Sequence, residues 1–353
     1  MRHEIAIYLG LLICSLAGSY WASLPESEEK DSYQTLFNLA IDSIFEVSLE
    51  SDKQRVSLVK KSDNKRFWVE IEQKAKGDKV NEQDDENKTV EKEENEKQSE
   101  SDAKIEKFIA NDNSDKLLKH FSPFQAIRSV GIVGTERLAE FGLDKDIETL
   151  RIRSTNGKED FSYIIGGKSY GTQNSFIMDT KSKNVFLIAR NPIDTLEKAK
   201  RTLFQKELFN SNFDDITSAS IVSSAKTKVI NHGFRDEKGE LQWTDVGESK
   251  ANVTYKNWMD KIKRLNVLSY PSEEEITRLQ DVEDFLQLDF KDGSKSIETL
   301  KFKKSLMPAL KDGAPKVYDY WAYSQFLSTW VKISRNRMES IEKDIASVID
   351  GGK

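Results

Sequence analysis

The chain has 353 residues, 37% hydrophobic and 32% charged, with a formal net charge of -6. That length suits two domains of roughly 150 residues each, and the acidic balance argues against a nucleic-acid binder, which carries a basic face. A single cysteine, Cys14, and three histidines exclude an internal disulfide framework, a CxxC-type zinc or redox site and a histidine-based metal cage.

The first element is the uncharged run from Ile5 to Ser23. As a helix it would cover about 28 Å, close to the ~30 Å hydrocarbon core of a bilayer. Arg2 and His3 precede it, whereas Glu26, Glu28 and Glu29 follow it. The charge bias therefore predicts a transmembrane anchor over 5–23, with residues 1–4 in the cytoplasm and the rest outside. Tyr20 and Trp21 then fall at the outer interface. The competing reading is a cleaved signal peptide ending at Ala17-Gly18-Ser19, which the bulky Tyr20-Trp21 pair disfavours. Ile13 before Cys14 disfavours a lipoprotein signal.

Within that run Ala6, Gly10, Cys14, Gly18 and Ala22 recur every fourth residue, placing five small side chains in one stripe. Such a stripe lets another helix approach closely in lipid. A second copy of the chain and a multi-span permease are equally good partners for it.

Residues 24–40 read as a juxtamembrane linker. Period-two alternation then predicts antiparallel strands through Ile44, Val47 and Leu49, through Val56 and Leu58, and through Phe67, Val69 and Ile71. From 74 to 102 the pattern stops. This acidic insertion has no aromatic residue and few apolar ones, so it is predicted to be disordered. Ile105, Phe108, Ile109, Leu117, Leu118 and Phe121 follow with helical spacing, ended by Pro123. Strands are predicted at Leu150–Arg153, Phe161–Ile165, Ser175–Met178 and Asn184–Ala189, with turns at Thr155–Lys158 and Gly166–Lys168. Thr195 to Phe209 returns to helical spacing.

The second half echoes the first. IDSIFEVSL at Ile41 is answered by FDDITSASI at Phe213, and FWVEI at Phe67 by LQWTDV at Leu241, with Trp68 and Trp243 in matching places. LLKHFSPFQAIRSV at Leu117 corresponds to NWMDKIKRLNVLSYPS at Asn257. LRIRSTNGKEDFSYIIG at Leu150 corresponds to LQLDFKDGSKSIETLKF at Leu286, and the strand–helix segment at Asn184 to that at Tyr320. The expected fold class is α+β: an N-terminal transmembrane helix, then two repeated units of antiparallel strands with packed helices, at 41–210 and 211–350.

In this order of blocks the chain resembles the family catalogued as a domain of unknown function, DUF4340, over nearly all of its length beyond the acidic insertion. The residues that carry the likeness are the N-terminal span, IIGGKS followed by NVFLI, FDDITSASI, LQW and the closing WVKISRNRMESIEKDI. The resemblance implies a periplasm-facing subunit or accessory of an ABC-type transporter of the gliding-motility kind in the bacterial inner membrane. Its partners would be the permease and, through it, an ATPase.

Enzymatic readings find little support in the residues. Gly167-Lys168-Ser169 ends like a phosphate-binding loop, but Ser162 stands where the leading glycine is needed, and the segment lies between strands. His120 reads as helical, and His232 as part of a turn before Gly233. Neither has a second histidine or cysteine nearby for metal or nucleophile chemistry. Asp214-Asp215 would point to opposite faces of a strand, and Glu273 to Glu275 fit a helix start after Pro271-Ser272. No catalytic residue, cofactor or metal site is assigned.

Tyr320, Trp321, Tyr323 and Trp330, followed by Arg335 and Arg337, form the densest aromatic and basic run. Such a run is core first. Where exposed, it has the composition of a protein interface. The expectation is a non-catalytic, membrane-anchored subunit that offers a protein- or polymer-binding platform outside the cytoplasm. The alternatives are an anchored ligand-binding protein, an enzyme acting on envelope polymers and a secreted protein.

Overall fold

A computed structural model describes residues 33–61, 66–74, 105–144, 147–155, 157, 159–224, 226–307 and 316–351. The predicted anchor at 5–23 and its stripe, and nearly all of the acidic insertion, lie outside them. Among the described residues no helix is long and apolar enough to cross a membrane.

The described chain is mostly β-sheet with helices, an α+β fold. It forms two compact units: residues 33–57, 73–74 and 115–198, and residues 58–72, 105–114 and 199–351.

In the first unit, a 3-10 turn at Ile41–Ser43 leads into β2 (Ile44–Glu50), after a short β1 (Gln34–Phe37) within the predicted linker. β3 (Gln54–Lys60) begins in this unit. Helix α1 (Asn113–Lys119) is followed by β6 (Phe124–Ala126) and β7 (Arg128–Ile132). β8 (Glu148–Ser154), β9 (Asp160–Lys168), β10 (Asn174–Asp179) and β11 (Asn184–Ala189) complete the strands, and α2 (Asn191–Glu197) closes the unit. β1 pairs with β6, and Phe37 stacks on Phe161 at 4.2 Å. The main sheet runs β3-β2-β8-β9-β10-β11-β7. Ile44, Val47 and Leu49 of β2 are buried, and so are Glu46 and Ser48 on its other face. Arg55 and Arg153 hold the buried Glu46 carboxylate, which removes the cost of an isolated buried charge.

The second unit contains β4 (Phe67–Gln73) up to residue 72, and β5 (Ile105–Ile109), which pair antiparallel. The helical spacing expected from Ile105 therefore holds only for α1. Five residues with two β-branched ends fit either period, and pairing with β4 decides for strand. Thr195–Phe209 likewise yields only α2 and a four-residue α3 (Ala199–Thr202), interrupted at Lys198.

A 3-10 turn at Phe213–Asp215 leads into β12 (Ser218–Ser223), followed by β13 (Lys226–Arg235) and β14 (Leu241–Asp245). α4 (Val253–Lys263), β15 (Val267–Ser269) and α5 (Glu273–Gln280) come next. β16 (Asp284–Asp292), β17 (Lys295–Leu306), β18 (Tyr318–Ser324), β19 (Thr329–Ile333) and α6 (Arg335–Ile349) end the chain. The eight-stranded sheet runs β14-β13-β12-β16-β17-β18-β19-β15. From β3 and from β13 onward the two sheets have the same strand order, each closing on an edge strand that follows a helix.

Alternation explains the second sheet. Leu286, Leu288 and Phe290 on β16 and Leu300 and Phe302 on β17 are buried, with polar residues between them. Helices α4 and α6 pack on each other, with Trp258, Met259, Ile341 and Ile345 buried, and Trp258 Nε1 donates to the Ile341 carbonyl at 3.0 Å. α5 starts as expected: Ser272 and Glu275 form a capping box that satisfies the exposed amides of its first turn.

Gly166 and Gly167 lie within β9, so the turn expected at Gly166–Lys168 falls after them. Between Ser175 and Ile177 of β10 the register slips against Ile165 and Lys168, a bulge that absorbs the glycine pair. A side chain on Gly166 would collide with the Phe141 carbonyl, so the second reason for glycine is close backbone approach.

Candidate functional site

A concavity lies in the second unit, where β13, β14 and α4 meet. Antiparallel register sets His232 of β13 opposite Trp243 of β14, and a bulge follows at Gly233. The imidazole and indole stack at 4.2 Å with planes 13° apart. His232 is therefore a buried strand residue rather than part of a turn. Its Nδ1 lies 2.9 Å from the Ile216 carbonyl oxygen, so that nitrogen carries the proton when the ring is neutral. Burial pushes the His232 pKa down, against the raising effect of the hydrogen bond to Ile216.

The turn between the strands is fixed by Asp236, whose Oδ1 accepts from the amides of Lys238 and Glu240, each at 2.9 Å. Asn252 caps α4 by accepting from the Thr254 and Tyr255 amides. One face of α4 then carries Lys256, Asp260 and Lys263, at i, i+4 and i+7, along the cavity. Its volume is about 390 Å³, and Phe213, Leu241 and Trp243 form its apolar wall.

Six charged side chains line this space. Arg235, Lys256 and Lys263 are opposed by Asp214, Glu240 and Asp260, so the lining is neutral in sum. Lys256 pairs with Glu240 at 2.9 Å. Arg235 donates to the Gly239 carbonyl at 2.6 Å, and the Lys263 ammonium sits 5.5 Å from the Phe213 ring centroid. Asp214 and Asp215 belong to the 3-10 turn, not to a strand. The site offers hydrogen bonding, charges of both signs and an uncharged imidazole with Nε2 as an acceptor. Among the described residues no group of three or more His, Cys, Asp or Glu side chains has metal-holding geometry.

A second concavity, about 490 Å³, runs along α6 over Phe285, Ile345 and Ile349. One end is closed by Glu342, which Lys304 pairs with and to which Tyr320 Oη donates at 2.6 Å. These contacts fasten α6 to the sheet.

Glu298 of β17 is 3% exposed. Both of its carboxyl oxygens accept from the Phe326 amide at 3.2 Å, and one also accepts from the Thr299 amide. Burial raises its pKa despite these bonds. The carboxylate anchors the turn between β18 and β19.

Of the residues singled out in sequence, Ala6, Gly10, Cys14, Gly18 and Ala22 lie outside the described residues. Tyr320 and Trp321 are each 3% exposed, so neither faces a free surface. β18 is interior to its sheet, and Trp321 Nε1 donates to Ser305 Oγ at 3.1 Å. Tyr323 and Trp330 are half-buried and face each other across β18 and β19 at 5.7 Å. Arg335 donates to the Tyr318 carbonyl at 2.7 Å and pairs with Asp319, whereas exposed Arg337 donates to the Arg264 carbonyl. The run is therefore chiefly sheet core. His120 is exposed just past α1. Sequence reasoning marked Trp243 by its place in the repeat, but the signal that pairs it with His232 is hairpin register.

Residues 127–282 match the model of a family described as Domain of unknown function (DUF4340). The matched segment takes in β7 to α5, and with them His232, Trp243 and every charge of the cavity lining. No curated protein and no solved structure matches the chain.

Proposed function

Taking as premise that residues 127–282 carry a DUF4340 domain, we propose that the chain is a non-catalytic, membrane-anchored subunit or accessory of an ABC-transporter-like envelope complex. In this reading residues 5–23 hold it in the bacterial inner membrane, the N-terminus is cytoplasmic, and the two similar halves are periplasmic. The small-residue stripe packs against a permease. The shared strand order of the two sheets supports reading 41–210 and 211–350 as an internal repeat.

The observation that carries the platform reading is the edge strand β7. Among the described residues it ends its sheet and pairs only with β11, and it leaves Val130 36% and Ile132 76% exposed. An apolar edge with unpaired backbone groups is suited to adding a strand from another chain. The buried carboxylates Glu46 and Glu298 are committed to holding the fold, which favours a scaffold.

The test is gentle detergent extraction of the tagged chain, with identification of what accompanies it. A permease and an ATPase are the expected companions, and replacing Gly10 and Gly18 by Leu should abolish their recovery without unfolding the rest. Undiminished recovery would count against the stripe, and a mature chain beginning at Tyr20 would remove the anchor. The cavity beside His232 favours a second reading, an anchored extracytoplasmic ligand-binding protein.

A further inference from the structure

The second unit covers its outer strands with its own backbone. The Trp243 carbonyl of β14 accepts from the Asn252 amide at 2.8 Å, the Val267 amide of β15 donates to the Lys206 carbonyl at 2.8 Å, and the Ile109 carbonyl of β5 accepts from the Gln205 amide at 3.1 Å. β7 of the first unit has no such cover: among the described residues, Arg128–Ile132 make no hydrogen bond besides the ladder with β11. An open edge is usually blunted by lysine, proline or an inward-pointing charge. A bulge opposite Val185-Phe186 twists β7, but none of those three devices stands between Ser129 and Thr135. The apolar surface also continues past the strand. Val133, Leu138 and Phe141 are half-buried against Leu143, Met178 and Val185, and Val185 is in register with Gly131.

We propose that the strand added here is β7 of a second copy of the chain, paired antiparallel about a two-fold axis so that the sheet runs from one copy into the other. The inference rests on the platform reading and names its partner. A strand that fits must be uncharged through its middle and must answer Arg128 at one end and Glu136 at the other, the only charges from 128 to 136, both exposed. β7 itself meets that description. Run antiparallel, two copies place Arg128 of each toward Glu136 of the other, whereas a parallel pair would set Arg128 beside Arg128. About an axis near Gly131, Val130 of each copy faces Ile132 of the other, the kind of apolar cross-strand pair that stabilises a sheet. A self-complementary patch of this sort closes as a dimer and leaves no open edge for further growth.

The test uses the full chain in detergent with Cys14→Ser, so that only introduced cysteines react. A short bis-maleimide should join Ile132→Cys to itself in a species of twice the mass, whereas Tyr170→Cys, fully exposed on the turn between β9 and β10, should stay single. Mass alone is not the readout, because the proposed small-residue stripe would also hold two copies together. In Ile132→Lys the amides of residues 128–132 should exchange with solvent about ten-fold faster or more than in the parent. Its thermal transition should stay close to the parent's, since the replaced side chain is 76% exposed within one copy. Equal crosslinking of the two cysteines, a crosslink to a different polypeptide, or exchange indifferent to the added lysine would overturn the self-pairing. A permease recovered while Ile132→Cys stays single would sink the self-pairing alone, and a crosslinked pair recovered without a permease would sink the transporter reading alone.

Discussion

The imidazole of His232 lies flat on the indole of Trp243, directly across a hairpin, and the pair floors the cavity. Burial lowers the His232 pKa below its ordinary value of about 6.5, so between the folded pKa and that value the unfolded chain binds more protons. Stability therefore rises with pH across this window and is lost as pH falls below it. Urea midpoints from pH 7 to about 5 should decline more steeply for the parent than for a His232→Gln variant. Parallel declines would show that the ring is not held neutral.

Gly166 faces a wall of backbone. An added Cβ would collide with the Phe141 carbonyl oxygen and sit 3.0 Å from the Leu143 side chain, and a carbonyl cannot swing aside as a lysine tip can. Gly166→Ala should cost about 1–3 kcal/mol, the usual range for overpacking. Gly157→Ala offers a contrast, because nothing lies within 4 Å and the cost there comes only from its φ of +66°. Denaturant unfolding of the two variants separates collision from backbone strain.

Glu298 gives a pH dependence of the opposite sign. Burial raises its carboxyl pKa above the ordinary value, so from about pH 4.5 upward the folded chain binds more protons than the unfolded one. Stability from this group falls as pH rises through that interval. In Glu298→Gln the fall should vanish, while the side-chain oxygen can still accept from the Phe326 amide. Melting curves from pH 4 to 7 decide it: identical slopes in both proteins would mean that the carboxylate is as well solvated folded as unfolded.

Strands with one apolar face were legible from residues alone. β8, β9, β10, β11, β16 and β17 all overlap the segments where alternation put them. The common strand order of the two sheets runs in the same order as the matched sequence blocks. Three features depended on partners distant in sequence. Ile105–Ile109 has spacing compatible with either helix or strand until β4 pairs with it. Gly166-Gly167 looks like a turn until β10 shows it to be a bulge. His232-Gly233 looks like a turn for the same reason, and its glycine is again at a bulge. The cavity was not legible, because Asp214, Arg235 and Asp260 come together only after α4 packs against β14.

The fastening of α4 can be tested at Tyr255, which is fully buried and donates from Oη to Asp245 Oδ1 at 2.9 Å. Lys228 of β13 pairs with the same carboxylate, so Asp245 ties the helix, β13 and β14 together. In Tyr255→Phe the ring still fills its place but the hydroxyl donor is gone. A hydrogen bond to a charged group contributes about 1.5–3 kcal/mol, and here Lys228 still compensates the carboxylate, so the lower end is expected. Lys228→Met should cost a similar amount. The double variant should cost more than the sum of the two, because only then does Asp245 lose both partners. Strict additivity in a double-mutant cycle would mean that the three side chains act separately and that α4 is held by Trp258 and its apolar neighbours alone.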